Sequence, residues 1–287
     1  MKIFSRLFGY LLLVFSFPAL HGVEKAYYSF TTDPIDVVIP CDAKDLVTLD
    51  LCIDGIRRQC QQVRRIIVIS QKKLTNNAEW FDENFFPFRK VDIALALFNE
   101  DKDAAIGYMS GENRLGWIYQ QLLKLYALYT IPKISPNVLV LDADTIFLNP
   151  IQFINPLGEP FFTAADEYNE PYFEHMKCLI PWLKRETSCS GIAHHMLFQK
   201  CVLDDLFQTI EERHQRVAWN ALCSCITNRY WACLSEYEIY FNFILARTDQ
   251  AHLRTLKWNN NGSIKNIEID REQGYHFIAC HSWLRNN

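Results

Sequence analysis

VLVLDADTIFLNP, running from Val138 to Pro150, is the stretch that decides how this chain is read. Four apolar residues, Val138 to Leu141, lead directly into Asp142-Ala143-Asp144. A short apolar run of this kind reads as a buried strand. Side chains two apart on a strand share a face, so Asp142 and Asp144 are expected to project together from the strand's end. Two carboxylates held that close repel one another unless positive charge lies between them. A hard divalent cation such as Mg²⁺ or Mn²⁺ prefers oxygen ligands and keeps coordination places for substrate phosphates, so it is the expected occupant. D-x-D alone is weak in a chain with 33 acidic residues. Its place after a buried strand sharpens it, because open α/β sheets bind ligands beyond the carboxyl ends of their strands.

The surrounding pattern extends this reading. IDVVIP (Ile35–Pro40) is expected to be the first strand, followed by a helix capped by Asp45 with Leu46, Leu49, Ile53 and Ile56 on one face. RIIVIS (Arg65–Ser70) is a second buried strand, so the two pair in parallel through a right-handed crossover. Gly116–Tyr129 reads as a helix with Ile118, Leu122, Leu125 and Tyr129 facing inward, stopped by Pro132 and Pro136. Leu203, Leu206, Phe207 and Ile210 mark another helix, and the charges of Glu211–Arg216 read as its solvated continuation. The alternation predicts an α/β fold: a single domain whose central sheet is mainly parallel and flanked by helices.

The chain has 287 residues, of which 49% are hydrophobic, enough for one large core. The net charge is −4 with no basic run, which argues against a nucleic-acid partner. Residues 1–22 stand apart. Lys2 and Arg6 precede an apolar stretch from Leu7 to Leu20, and Gly22 ends a cleavage-like site. This is expected to be a secretory signal or an uncleaved membrane anchor. The rest, residues 23–287, then forms the domain, exported or associated with a membrane through its N-terminus. The ten cysteines contain no C-x-x-C, so no zinc ribbon or thioredoxin-type site is signalled. Most are expected to be buried thiols, with one or two bridges permitted by export.

Other constellations carry chemistry. Ser190–Met196 contains His194-His195. Adjacent histidines point in different directions, so one of the two is expected to join the aspartates, and spacing does not choose between them. Ser235–Tyr240 (SEYEIY) sets Glu236 and Glu238 among aromatics, which suits sugar hydroxyls and rings, and either acid can act as a general base. The bland counterpart is a helix start, where acids favour the macrodipole. Gln120 and Lys124 are four apart on one helix face, and Lys124 is either a phosphate contact or an ordinary exposed lysine. His281-Ser282-Trp283 is placed to return to a cleft near the C-terminus. Asn261-Gly262-Ser263 is a formal glycosylation sequon inside a turn. No P-loop, dinucleotide fingerprint or G-x-S-x-G is present.

Taken in order, DVVIPCDAKDL (Asp36–Leu46), GWIYQQLLKLYAL (Gly116–Leu128), VLVLDADTIFLNP, AHHMLF (Ala193–Phe198), SEYEIY and the late HSW resemble an uncharacterised glycosyltransferase-like family found in bacteria, of the GT-A class. The matches run from about Asp36 to Trp283. The resemblance implies a nucleotide-sugar donor whose diphosphate is held by Mn²⁺ or Mg²⁺ on Asp142 and Asp144. It implies a further histidine ligand (His194, His195 or His281) and a nucleotide lying near Pro40–Lys44, with Gln120 and Lys124 on the donor. The anomeric carbon becomes cation-like in such transfers, so a nearby carboxylate helps; Asp166, Glu236 and Glu238 are the candidates. The acceptor is a glycan, a lipid or a protein. Two rivals stand beside this reading. One is an aspartyl-phosphate phosphatase, for which Asp204-Asp205 would supply the later acidic pair. The other is a secreted sugar-binding protein on a transferase scaffold without catalysis.

Overall fold

The computed structural model describes residues 23–284. The expected N-terminal signal or anchor lies outside the described residues, and among them no helix is long and apolar enough to cross a membrane. After an extended lead, the chain forms β1 (Ile35–Pro40), α1 (Leu46–Gln59), β2 (Val63–Ser70) and β3 (Glu79–Asp82). Helices α2 (Lys90–Leu97), α3 (Lys102–Ser110) and α4 (Leu115–Thr130) lead to β4 (Asn137–Leu141). Then come β5 (Thr145–Phe147), β6 (Phe161–Thr163), α5 (Glu170–Leu179), β7 (His195–Gln199), α6 (Lys200–His214) and α7 (Ala218–Ser224). The last part carries α8 (Glu236–Arg247), β8 (His252–Arg254), β9 (Trp258–Asn259), α9 (Ile267–Glu272) and β10 (Phe277–Ala279).

The main sheet has five strands in the order β3-β2-β1-β4-β7. All neighbours are parallel except β4 and β7. The expected α/β fold with a mainly parallel sheet flanked by helices is therefore observed. Period-two alternation divides the strands between two cores. Val38, Ile67, Ile69, Val138, Val140, Met196 and Phe198 face helices α2, α4, α6, α7 and α8 on one side. Val37, Ile39, Val68, Leu139, Leu141 and Leu197 face α1 and the small sheet β5-β10-β9 on the other. Helix α1 comes close to β5, where a Cβ on Gly55 would lie 2.7 Å from the Phe147 carbonyl oxygen. Only glycine permits that approach.

Most expected elements are present. Leu49, Ile53 and Ile56 are buried on α1, but Leu46 is exposed and Asp45 makes no side-chain capping bond. Asp42 caps the preceding turn instead, accepting from the Lys44 amide. Tyr129, expected inside, is 40% exposed at the end of α4. Cys52, Cys60, Cys223, Cys225 and Cys233 are buried free thiols.

The strand order creates the site. From β1 the chain moves outward through β2 and β3, then returns so that β4 pairs on the other side of β1. The crevice beyond the carboxyl ends of β1 and β4 is thus a topological switch point, where open α/β sheets take their ligands.

Candidate active-site cleft

Strand β4 ends at Leu141, and Asp142-Ala143-Asp144 lies in the turn that follows rather than on the strand itself. The Thr145 amide donates to the Asp142 carbonyl at 3.1 Å and closes that turn. The two carboxylates still reach one cleft, but a tight turn unites them instead of strand periodicity. Two backbone ties fix the turn. The Asp142 amide donates to the His194 carbonyl at 3.0 Å, and the Cys280 amide donates to the Asp144 carbonyl at 2.9 Å. Each aspartate is thereby anchored beside one histidine-bearing segment.

Lys124 forms the inner wall. Helix α4 is buried on nearly all sides between Ile118 and Leu128, and the Lys124 side chain is 1% exposed. Its ammonium donates to Asp142 Oδ1 at 2.6 Å, Glu236 Oε1 at 2.7 Å and the Tyr237 hydroxyl at 3.1 Å. An ammonium has three N–H groups, and these partners use all three. The nitrogen also lies 4.4 Å from the Tyr237 ring centroid. Gln121, one turn earlier on α4, is placed to donate its amide to the other side of Glu236. Lys124 is therefore neither an exposed lysine nor a ready phosphate contact; it is the cation of a buried network.

The network sets the charges. Burial alone would pull the Lys124 ammonium down, but Asp142 and Glu236 reverse this and hold it well above its ordinary range. Burial would raise the Asp142 carboxyl, yet Lys124 and His194 outweigh it and hold the group well below the usual carboxylate range. Glu236 is raised, because its burial exceeds the help from Lys124.

The outer half of the cleft carries two histidines. His194 precedes β7 and has φ +59, a left-handed conformation uncommon for a residue with a Cβ. That backbone turn separates the adjacent pair. His194 Nδ1 lies 3.3 Å from Asp142 Oδ2, and burial, which would lower its pKa, is outweighed by Asp142 so that the pKa rises. His281 Nδ1 lies 3.3 Å from Asp144 Oδ2. The two rings are 4.9 Å apart, and the Nε2 atoms of both meet Asn260 Oδ1, at 2.6 and 3.0 Å. Trp283 stacks on His281 with centroids 4.2 Å apart.

These residues line a cleft of about 400 Å³. It gathers Lys44, Gln120, Lys124, Asp142, Asp144, His194, Glu236 and His281 from the sequence-derived candidates. Four candidates lie elsewhere. His195 starts β7 and points to the opposite side, packed edge-on against Phe147, Phe153 and Phe277, where burial drives its pKa down to about 3. Its Nε2 lies 3.3 Å from the Thr163 hydroxyl. Glu238 takes a hydrogen bond from Ser190 and another from Asn242 Nδ2 at 2.7 Å, behind the cleft wall. Ser235 caps α8 by accepting from the Glu238 amide, so the helix-start account of these acids holds. Pro40 is buried within β1, with Lys44 alone from that segment's candidates reaching the cleft. Asp166 does not line the cleft, whereas its neighbour Glu167 does. The surrounding protein raises the Glu167 pKa by desolvation despite the pull of His194 and His281.

Sequence reading also passed over Asn260, Trp117 and Tyr172. Asn260 sits in a stretch legible only as a turn. Trp117 stacks on Tyr172 at the cleft edge, 6.4 Å between centroids. Trp117, Gln120, Gln121 and Lys124 follow helical spacing, so one face of α4 was legible as a group. Among the described residues, no group of three or more His, Cys, Asp or Glu side chains is arranged to hold a metal ion.

No family model and no curated protein sequence matches this chain. Among solved structures, mouse xyloside xylosyltransferase 1 in its apo form is similar with a TM-score of 0.42 and 12% identity, covering 86% of this chain and 97% of that one. The apo bifunctional glycosyltransferase WbbM gives a TM-score of 0.42 and 14% identity, over 88% of this chain and 47% of its own. The likeness to these two glycosyltransferases is distant, and it says nothing about substrate.

Proposed function

We propose that the cleft is the active site of a glycosyltransferase that takes a nucleotide-sugar donor with the help of Mn²⁺ or Mg²⁺. One observation carries this reading: Asp142 and Asp144 open together into a polar cleft at the β1–β4 switch point, each faced by an imidazole nitrogen. The cleft is lined by more carboxylates (Asp45, Asp142, Asp144, Glu167, Glu236) than lysines (Lys44, Lys124), which suits a cation. Mg²⁺ is commonly bound by one or two carboxylates, with water and phosphate completing its shell. Asp142 and Asp144 would hold the ion, with His194 and His281 beside them. When bound, it would neutralise charge developing on the departing diphosphate.

The chain's own residues supply the rest. Lys124 fixes the Asp142 carboxylate and keeps it ionised. Glu236, locked by Lys124 and Gln121, holds that ammonium rather than meeting an acceptor. Glu167, on the cleft mouth with a raised pKa, is the carboxylate available to an acceptor hydroxyl or a cation-like sugar carbon. Trp117, Tyr172 and Trp283 offer ring faces to a sugar or base. Lys44 stands at the β1 end, where the nucleotide is expected. The acceptor is a glycan, lipid or protein, and the enzyme is exported or anchored by its N-terminus.

The phosphatase rival loses its second acidic pair. Asp204 is engaged by Lys200 and Tyr129, and Asp205 by Arg247 and Tyr28, all away from the cleft. The deciding experiment incubates the purified protein with a panel of nucleotide sugars, with Mn²⁺ and with a chelator, and follows release of the nucleoside diphosphate. Metal-dependent release that Asp144→Asn removes supports the proposal. Glycan binding without turnover would favour the sugar-binding alternative, and phosphate release from a simple monoester would favour the phosphatase.

A further inference from the structure

The last turn of helix α5 meets α7 through residues that do not line the cleft. The buried His175 on α5 brings Nε2 within 2.9 Å of the Leu222 carbonyl oxygen on α7. Residues three apart on a helix share a face. The next pair along the two helices is therefore Cys178 and Cys225, three residues beyond His175 and three beyond Leu222. Cys225 is the C-cap of α7 and keeps helical backbone angles, so that face continues to it. His214, at the end of α6, ties both positions from the side. Its Nε2 lies 2.8 Å from the carbonyl oxygen of Leu179, next to Cys178, and 3.9 Å from Cys225 Sγ. The side chains of Cys178 and Cys225 are in contact with each other, and both thiols are free.

The two thiols differ in access. Cys178 is exposed, whereas Cys225 is 4% exposed. Burial and the contact with Cys178 push the Cys225 thiol up to about 12, against the pull of Arg213 and Arg216. A small molecule in solution therefore meets Cys178 first. Cys223 is no rival partner. It stands two residues before Cys225, which turns a helical side chain by roughly 200°, and it is fully buried in the core.

We propose that Cys178 and Cys225 form a disulfide by exchange with a small-molecule disulfide, Cys178 being the attacking thiol and Cys225 the resolving one. The Cys178 thiol gives its proton to water, and the thiolate attacks one sulfur of the small disulfide. That S–S bond breaks, and one small thiolate leaves with the electron pair. Cys225 then attacks the Cys178 sulfur of the mixed disulfide. The second small thiolate leaves and takes up the Cys225 proton. Two protein thiols are thereby oxidised, and one small disulfide is reduced to two thiols. The oxidising surroundings of an exported chain favour this product. The bond closes a loop that contains β7 and α6. It also fastens α5, whose Tyr172 lines the cleft, to α7. None of this depends on whether the cleft transfers a sugar.

In the test, the full chain is reduced, exposed to oxidised glutathione, digested with trypsin without reductant and mapped by mass spectrometry. The peptide of residues 178–184 should appear joined to that of residues 217–229, and fragmentation should place the link on Cys225 rather than Cys223. Cys225→Ser should trap one glutathione on Cys178. Cys178→Ser should show neither the cross-link nor glutathione on Cys225, and Cys223→Ser should keep the cross-link. The oxidised wild type should melt roughly 5–10 °C above the reduced one, the shift of a typical disulfide in a domain of this size. Wild-type Cys178 that stays a thiol or a glutathione adduct, or that joins any other cysteine, overturns the proposal. An unchanged melting midpoint in the cross-linked chain overturns the fastening of α5 to α7. The wild-type map decides even if a serine variant fails to fold.

Discussion

Asp142 and Asp144 are two residues apart in one turn, yet they belong to different halves of the cleft. Asp142 leans on the inner wall, where Lys124, Glu236 and Tyr237 satisfy one another out of solvent. Asp144 meets His281, which in turn contacts Asn260 and the exposed ring of Trp283. The inner half is complete without a ligand. The outer half is built from two imidazoles, a carboxamide and a carboxylate rather than around a buried ammonium. The first acid of the pair is tied to a buried ammonium and the second to a histidine near the C-terminus, so the two answer to different parts of the chain.

The hardest test of this contrast removes the inner cation. Lys124→Met leaves Asp142 and Glu236 facing each other without a counter-ion in a buried setting. Breaking a buried pair from one side costs about 3–5 kcal/mol. Chemical denaturation should show a loss of that size, and Glu236→Gln in the same chain should recover part of it. A variant as stable as wild type would mean that the wall is not pre-paired.

The outer half should respond in the opposite sense. Asp144→Asn keeps the side-chain shape and is expected to cost less stability than Lys124→Met, on the order of 1 kcal/mol. Donor turnover should fall about 100- to 1,000-fold, the usual cost of losing one electrostatic contact to developing charge. Melting curves and steady-state kinetics on one preparation would show whether the two effects separate.

Stability against pH sharpens the contrast further. The folded-state pKa of Lys124 is raised, so its contribution is full below about pH 10.4, its unfolded value, and is lost as pH rises beyond that. The folded-state pKa of Asp142 is lowered, so its contribution is full above about pH 3.9 and is lost as pH falls below that. Lys124→Met should therefore flatten both limbs of the denaturation midpoint plotted against pH, while Asp144→Asn should leave the alkaline limb unchanged.

The smallest expected effect concerns His195. His195→Gln should leave Mn²⁺ binding and turnover unchanged and cost about 1 kcal/mol through the contact with Thr163. The folded pKa is near 3, so the wild type loses stability as pH falls from about 6.5 toward that value, because the unfolded chain binds the proton first. The glutamine variant should show less acid destabilisation across that window. A loss of Mn²⁺ affinity in this variant would return His195 to the site.

Much of the fold was legible because it depends on short-range pattern. IDVVIP, RIIVIS and VLVL are apolar runs too short for helices, and each became a strand of the main sheet. The spacing of Trp117, Gln120, Gln121 and Lys124 on α4 was legible as one face as well. The depth of Lys124 was partly signalled, since it stands between Leu123 and Leu125 in a helix with few polar positions, and such helices are buried all round. The choice between His194 and His195 was not legible. It depends on a single left-handed backbone turn, which no residue preference demanded.

By itself, then, the sequence determined three strands of the main sheet, helices α1, α4 and α6, and the pair of acids at the end of β4, because hydrophobic periodicity and local backbone preference act over a few residues. Only the tertiary structure decided that Lys124 neutralises Asp142, that Glu167 rather than Asp166 lines the cleft, and that Asn260 joins His194 to His281. Those contacts span 18 residues between Lys124 and Asp142 and 66 between His194 and Asn260. They exist because strand order brings distant segments to one sheet edge, and strand order is settled by the packing of two cores rather than by any local run of residues.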